Sequence, residues 1–331
     1  MSIFKKQMLA LVVAAVLVFG MVPMCLAAGQ VIKAVSAWPK TVYEVQNFMK
    51  FLEIAKQNVA AKAPGQLEIK YLGGPEVIPN SEQVEALRNG LVDMVFTTSG
   101  YYVSVLPVMD GLNLTTLTAG QEREKGINDF LNKLHNQKVN AHYLGRLGIG
   151  LPFMLFLNKK IEKADDLQGL KIRCSPTHIA FLKAMGAQPI VIPPPDVHTA
   201  IERGVVDGII WVAGLIRDWG WHEVLKYRVE PGFYMGNNDI LVNKDAWDKL
   251  PANLQKILQD SEIEAEKIAE ARAADHLAKE NAIMEKGGMK VIQLEGAEAK
   301  KLIDTAYNAL WNVVIEKSGD DGRKLREMIS N

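Results

Sequence analysis

Ala86-Leu87-Arg88-Asn89-Gly90-Leu91-Val92-Asp93-Met94-Val95-Phe96 aligns without a gap on Ala200-Ile201-Glu202-Arg203-Gly204-Val205-Val206-Asp207-Gly208-Ile209-Ile210. Each stretch reads as the end of a helix, a glycine able to adopt positive φ, and then a buried strand. Junctions of this kind also recur by chance in α/β proteins. Their placement, one in each half of the chain, is what two lobes of like topology would show.

Working outward, the first half alternates. Residues 31–36 read as a strand, 43–61 as a helix, 67–72 as a strand closed by Gly73-Gly74-Pro75, and 81–89 as a helix capped by Asn80 or Ser81. Residues 92–97 follow as a strand. The second half repeats the alternation. Residues 169–174 read as a strand, 177–185 as a helix stopped by Gly186, and 188–192 as a strand. A Pro193-Pro194-Pro195 break follows, and its last proline can open the helix through Arg203. Residues 239–243 form another strand. Strand-helix alternation argues for mostly parallel sheets. From Pro251 to Glu285 no breaker interrupts an Ala-, Glu- and Lys-rich run that Gly287-Gly288 ends. Unbroken, that helix would be on the order of 50 Å long and would tie two lobes together. A pair of helices broken near Ser261 is the alternative. A strand at 289–294 and a helix at 297–315 close the chain.

The 331 residues are 48% hydrophobic and 23% charged, with Lys+Arg and Asp+Glu equal at 38 each. That composition supports two domains. A neutral chain without a basic tract lacks the electrostatic footprint of a nucleic-acid binder. At the N-terminus, Lys5 and Lys6 precede an apolar run from Met8, and Leu26-Ala27-Ala28-Gly29 offers small residues to a signal peptidase. This is the secretory pattern, with cleavage expected near Ala28. A retained anchor and a lipoprotein on Cys25 are the alternatives, since the apolar stretch could span a bilayer and Met24 is a poor lipobox residue. Cleavage would leave Cys174 as the one cysteine, so no intramolecular disulfide could form.

Catalytic motifs are missing: no GxSxG, no HExxH and no phosphate loop. The six histidines show no ligand spacing, and His178 and His198 read as surface residues at helix starts. No cofactor and no metal is expected. Cys174 reads as buried and inert.

Arg173 stands out. In Leu170-Lys171-Ile172-Arg173-Cys174 it sits at the carboxyl end of a strand, just before Ser175-Pro176-Thr177. Open α/β sheets bind ligands outside the carboxyl ends of their strands, and a guanidinium matches a carboxylate bidentately. A structural ion pair with Asp165, Asp166 or Asp207 is the competing role.

Asp166-Leu167-Gln168-Gly169-Leu170-Lys171-Ile172-Arg173, Ala184-Met185-Gly186-Ala187-Gln188-Pro189, the stretch from Ala200 to Gly208, and Asn243-Lys244-Asp245-Ala246-Trp247-Asp248-Lys249-Leu250-Pro251 resemble, in order and spacing, the binding subunits of tripartite ATP-independent periplasmic (TRAP) transporters. The resemblance runs from about Val31 to near the C-terminus. It implies a two-lobed α/β periplasmic-binding-protein fold with hinge strands and a long helix spanning both lobes. Lobe I would hold residues 29–150 plus about 240–279, and lobe II residues 151–239 plus about 280–331, after a leader of 1–28. It implies a small organic acid held by Arg173 in an interlobe cleft, delivery to TRAP membrane permease subunits, and no enzymatic activity. Phe153 stands where sialic-acid-binding members carry a second arginine, and Trp211 where they carry asparagine, which argues against that ligand. Ile210 replaces a glutamate that binds a cation in some keto-acid members. Trp211 and Phe153 would give flat apolar walls. Trp38, Tyr101, Tyr102, Asn237, Asp239 and Arg146 lie near strand ends and are further candidates. A sensory binding protein that presents ligand to a receptor, or a periplasmic enzyme using Asp207, His178 or His198, would be the alternative functions.

Overall fold

The structure, a computed structural model, describes residues 29–147 and 150–330. The expected leader lies outside them. In chain order the first elements are β1 (Gln30–Ser36), α1 (Tyr43–Lys62), β2 (Leu67–Gly73), α2 (Gln83–Arg88), β3 (Met94–Thr97), α3 (Ala119–Glu124), α4 (Ile127–Lys138) and β4 (Ala141–Leu147). Then come β5 (Phe153–Leu157), β6 (Lys171–Cys174), α5 (Ile179–Ala184), β7 (Gln188–Val191), α6 (Val197–Glu202), β8 (Gly208–Val212) and β9 (Tyr227–Glu230). The last are β10 (Asn238–Asn243), α7 (Lys244–Asp248), α8 (Ala252–Lys286), β11 (Lys290–Gln293), α9 (Gly296–Ser318) and α10 (Asp320–Ser330).

Two sheets form, with strand orders β2-β1-β3-β10-β4 and β11-β9-β5-β8-β6-β7. Each contains a parallel core crossed by an antiparallel strand that the chain delivers from the other sheet. β5 follows β4 of the first sheet and runs antiparallel to β8; β10 follows β9 of the second and runs antiparallel to β3. The two crossings touch. Phe153 N–H donates to the Tyr234 carbonyl at 2.7 Å and Gly236 N–H to that of Leu151 at 2.8 Å. The chain is therefore a two-lobed α/β protein.

The internal repeat is the frame of both lobes. Gly90 and Gly204 adopt φ of 73° and 67°. Leu91 N–H donates to the Ala86 carbonyl and Val205 N–H to that of Ala200, both at 2.9 Å. The aspartate three residues past each glycine clamps the neighbouring strand. Lys33 N–H donates to Asp93 Oδ2 at 2.8 Å, and Lys171 N–H to Asp207 Oδ2 at 2.9 Å. Ala34 pairs with Met94, and Ile172 with Gly208, the residue after each aspartate.

Helix α8 runs unbroken for 35 residues. Ser261 sits inside it without a break, its hydroxyl donating to the Ile257 carbonyl at 2.7 Å and accepting from Asn58 Nδ2 at 3.0 Å. Its first half packs on α1 and β4. Its second half reaches the other lobe, where Glu280 and Glu285 pair with Arg217 and Arg228. Among the described residues no helix is long and apolar enough to cross a membrane.

Two local expectations need correction, and one segment was not anticipated. Neither Asn80 nor Ser81 caps α2, which starts at Gln83 after a turn closed by Glu82 N–H on the Pro79 carbonyl. Residues 176–178 form a 3-10 turn, and the α-helix begins only at Ile179. Residues 107–114 lie in a 3-10 segment that packs against α9 and α10. Gly111 permits that approach, since a β-carbon there would meet Leu325 Cδ2 at 2.8 Å.

Candidate functional site

Arg173 is the next-to-last residue of β6 and is 2% exposed. Its Nε donates to the Ile192 carbonyl at 2.9 Å, and its Cζ stands 4.9 Å from the centre of the Trp211 ring. Its Nη1 has no hydrogen-bond partner among the described residues. None of the three aspartates considered as ion-pair partners takes that role. Asp165 pairs with Lys301, Asp166 accepts the N–H groups of Glu162 and Lys163, and Asp207 pairs with Lys159. Burial pulls the guanidinium below its ordinary value, yet arginine keeps its charge at neutral pH.

The other buried arginines behave differently. Arg146 and Glu122, each 1% exposed, form an ion pair, and Arg228 pairs with Glu230 and Glu285. Removing a charge from water costs several kcal/mol unless a partner compensates. Arg173 is thus a buried cation whose compensation must come from the space it faces.

That space lies between the lobes. The first lobe contributes Trp38, Glu44, Thr98, Tyr101 and Asn113; the second contributes Phe153, Arg173, Ser175, Thr177, His178, Ile210, Trp211 and Val212. Asn237 and Asn238 come from the crossing chain. The inner cavity is narrow, about 40 Å³, and Arg173, Tyr101 and Ser175 also line an outer cleft of about 550 Å³. Seven buried polar atoms lining the cavity have no partner among the described residues: Arg173 Nη1, Trp211 Nε1, Trp38 Nε1, His178 Nε2, Glu44 Oε2, and Asn237 Oδ1 and Nδ2. Buried polar groups are nearly always bonded, so a cluster of exceptions around one cavity is the signature of a site for a polar ligand.

The walls are rigid. Trp211 packs edge-on against Trp221 at 4.9 Å, and Trp221 stacks on Trp219 at 5.4 Å. Phe153 packs edge-on against His178 at 4.7 Å. His178 donates to or accepts from Ser175 Oγ through Nδ1 at 2.9 Å. Burial, then the Arg173 charge, pushes the imidazole down to about 3, so it is neutral. Cys174 is buried and its thiol is pushed up to about 11, which leaves it unreactive.

The structure brings Arg173, Trp211, Phe153, Trp38, Tyr101 and Asn237 to one cavity. It does not bring Tyr102, Asp239 or Arg146 there. Tyr102 donates to Asp239 Oδ2 at 2.6 Å and meets His135 at 3.2 Å inside the first lobe. Asp239 pairs across the ladder with Arg146, and Arg146 is held by Glu122. Asn238, which alternates with Asp239 along β10, and Asn237, which precedes the strand, line the cavity instead. His178, expected at the surface, is 1% exposed and lines the site, whereas His198 is half-buried and lies beside Glu202. Sequence reading missed Glu44, Thr98, Asn113 and Thr177. His178 could have been found, because it follows Arg173 by five residues, in the 3-10 turn that leaves β6.

Comparison with known proteins gives a consistent picture. The profile of bacterial extracellular solute-binding protein family 7 (DctP) matches residues 37–317. A monocarboxylate 2-oxoacid-binding periplasmic protein of Nostoc sp. is 25% identical over 240 residues, 70% of this chain and 64% of that one. The chain thus spans just under two thirds of that relative's length. A solute-binding protein of Verminephrobacter eiseniae is 25% identical over 71% of this chain and 72% of its own. A TRAP solute-binding protein of Desulfovibrio salexigens, solved with bound orotic acid, superposes with a TM-score of 0.81 at 21% identity, over 91% of this chain and 97% of that one. An extracytoplasmic solute receptor of Bordetella pertussis that binds pyroglutamic acid gives 0.80 at 19% identity, over 92% and 100%.

Proposed function

The chain belongs to family 7 of the bacterial extracellular solute-binding proteins, and from that premise we propose that it captures a small monocarboxylate in the interlobe cavity for delivery to a TRAP-type permease. The observation that carries this is Arg173, buried without a carboxylate partner on the cavity wall. A ligand carboxylate supplies the missing anion, with Arg173 Nη1 and Trp211 Nε1 as donors. Charge-assisted hydrogen bonds of this kind are the strong ones.

Trp211 and Phe153 favour a flat or short apolar body beside the carboxylate. The narrow inner cavity favours a small one. Orotic acid, pyroglutamic acid and 2-oxoacids, bound by the relatives named above, fit this description. Export with cleavage near Ala28 would place the mature chain where a permease can receive the ligand. On this reading residues 29–150 with about 240–279 move against residues 151–239 with about 280–331, and closure buries the ligand.

Thermal unfolding of residues 29–331 against mono-, di- and keto-carboxylates tests the reading. A ligand at a hundredfold its Kd adds roughly 2.7 kcal/mol to the folded state. The expected result is a rise of several degrees confined to one acid class and absent in Arg173→Ala. A rise that survives in the variant, or no rise with any acid, contradicts it.

A further inference from the structure

Opposite the arginine, the first lobe presents a carboxyl group that the clamp does not use. Glu44 sits in the first turn of α1 and is 5% exposed. Its Oε2 has no hydrogen-bond partner among the described residues, and the side chain lines the same inner cavity as Arg173. Tyr101 lies within electrostatic reach of both groups, since its hydroxyl responds to the charge of each. The cavity therefore has two polar poles, one from each lobe, and a ligand that fills it meets both.

Resting on the carboxylate reading above, we propose that Glu44 is a specificity-determining residue whose carboxyl O–H donates a hydrogen bond to an uncharged oxygen acceptor, a keto or lactam carbonyl, at the ligand end away from Arg173. An ionised Glu44 could not donate, and would repel the ligand anion. Burial pushes its carboxyl up to about 8, with a further push from Asp218. At neutral pH Glu44 is therefore an acid with a proton to give, and the site carries the single positive charge of Arg173. The ligand class narrows to monocarboxylates bearing a carbonyl.

Of the groups around Glu44, the imidazoles and phenols shift away from that window and Asp218 shifts upward, so Glu44→Gln is the control that assigns the pH dependence. Asp218 caps α1 through Tyr43 N–H at 2.7 Å, and burial raises it from the ordinary aspartate value. His276, stacked on Tyr43 at 3.7 Å, is pushed below its ordinary value, as is His178 across the cavity. Tyr43 and Tyr101 are raised above 10. Arg272 over the Tyr43 ring and Arg173 stay charged.

If only the protonated form binds, Kd grows as the ionised fraction grows, by about tenfold between pH 7 and pH 9 for a carboxyl titrating at about 8. Titration calorimetry with pyroglutamate and with 2-oxoisovalerate, each a single ionised carboxylate over that range, reads this. The expected result is the tenfold weakening in the wild-type protein and no pH dependence in Glu44→Gln. A flat wild-type response, or a weakening that survives in Glu44→Gln, overturns the proposal. Should Glu44→Gln unfold at the wild-type midpoint yet bind at neither pH, the carbon-13 carboxyl signal of Glu44 in the wild type decides. Movement of that signal on adding the acid supports contact, and no movement overturns it. If neither these acids nor any acid of the thermal panel binds, the carboxylate reading itself fails, and this proposal with it.

Discussion

The two lobes share one frame, and one pair of corresponding residues separates their roles. In the first, Asp93 holds Lys33, and the strand continues through Val35; in the second, Asp207 holds Lys171, and the strand continues through Arg173. Val35 pairs with Val95 as Arg173 pairs with Ile209. Val35 belongs to the hydrophobic core, and Arg173 faces the cavity. The backbone arrangement is thus a general support, and the ligand chemistry enters by substitution at a strand's carboxyl end. A second contrast sharpens the first. Arg146 is as buried as Arg173, yet Glu122 neutralises it inside the first lobe. One arginine is structural and the other is available.

The largest effect separates these two arginines. Glu122→Ala leaves Arg146 buried and uncompensated, and urea denaturation is expected to show a loss of about 3–5 kcal/mol. Arg173→Ala is expected to cause no such loss, because it removes a buried charge that has no internal partner. It should instead weaken carboxylate binding by about 2–5 kcal/mol, read by calorimetry. Equal stability losses in both variants would erase the distinction between structural and available arginine.

The shared frame makes smaller, paired predictions. Asp93→Ala and Asp207→Ala each free a strand N–H, and each is expected to cost about 1–3 kcal/mol in denaturant unfolding. Gly90→Ala and Gly204→Ala each force an alanine into positive φ, with no steric contact to add. Each is expected to cost about 1–2 kcal/mol. A large inequality within either pair would show that the lobes do not use the repeat alike.

Much of this was legible in the sequence, for local reasons. The glycine-aspartate junctions, the unbroken run that became α8 and the position of Arg173 are all set by residues close in the chain. What was not legible depends on distant partners. The first turn of α1 has no local side-chain cap at Val42, because Asp218 of the other lobe satisfies Tyr43 N–H. β9 carries Arg228, whose burial is compensated by Glu285 on α8 as well as by its strand neighbour Glu230. β5 is a short apolar run whose period does not distinguish strand from helix. Glu44 looks like any acid in a helix's first turn, and only the opposing lobe makes it a buried one. Asp239 and Arg146 lie near strand ends but face the first lobe's interior by β-alternation, and Tyr102, which caps the 3-10 turn after β3, is held there by its bond to Asp239.

The most direct test of the central claim compares one acid with its neutral amide. The tightest-binding carboxylate and its carboxamide would each be titrated into the wild-type protein and into Arg173→Ala. If Arg173 takes the carboxylate, the wild type prefers the acid by about 2 kcal/mol or more and the variant loses that preference. If the wild type binds amide and acid alike, or the variant still prefers the acid, Arg173 is not the residue that reads the charge.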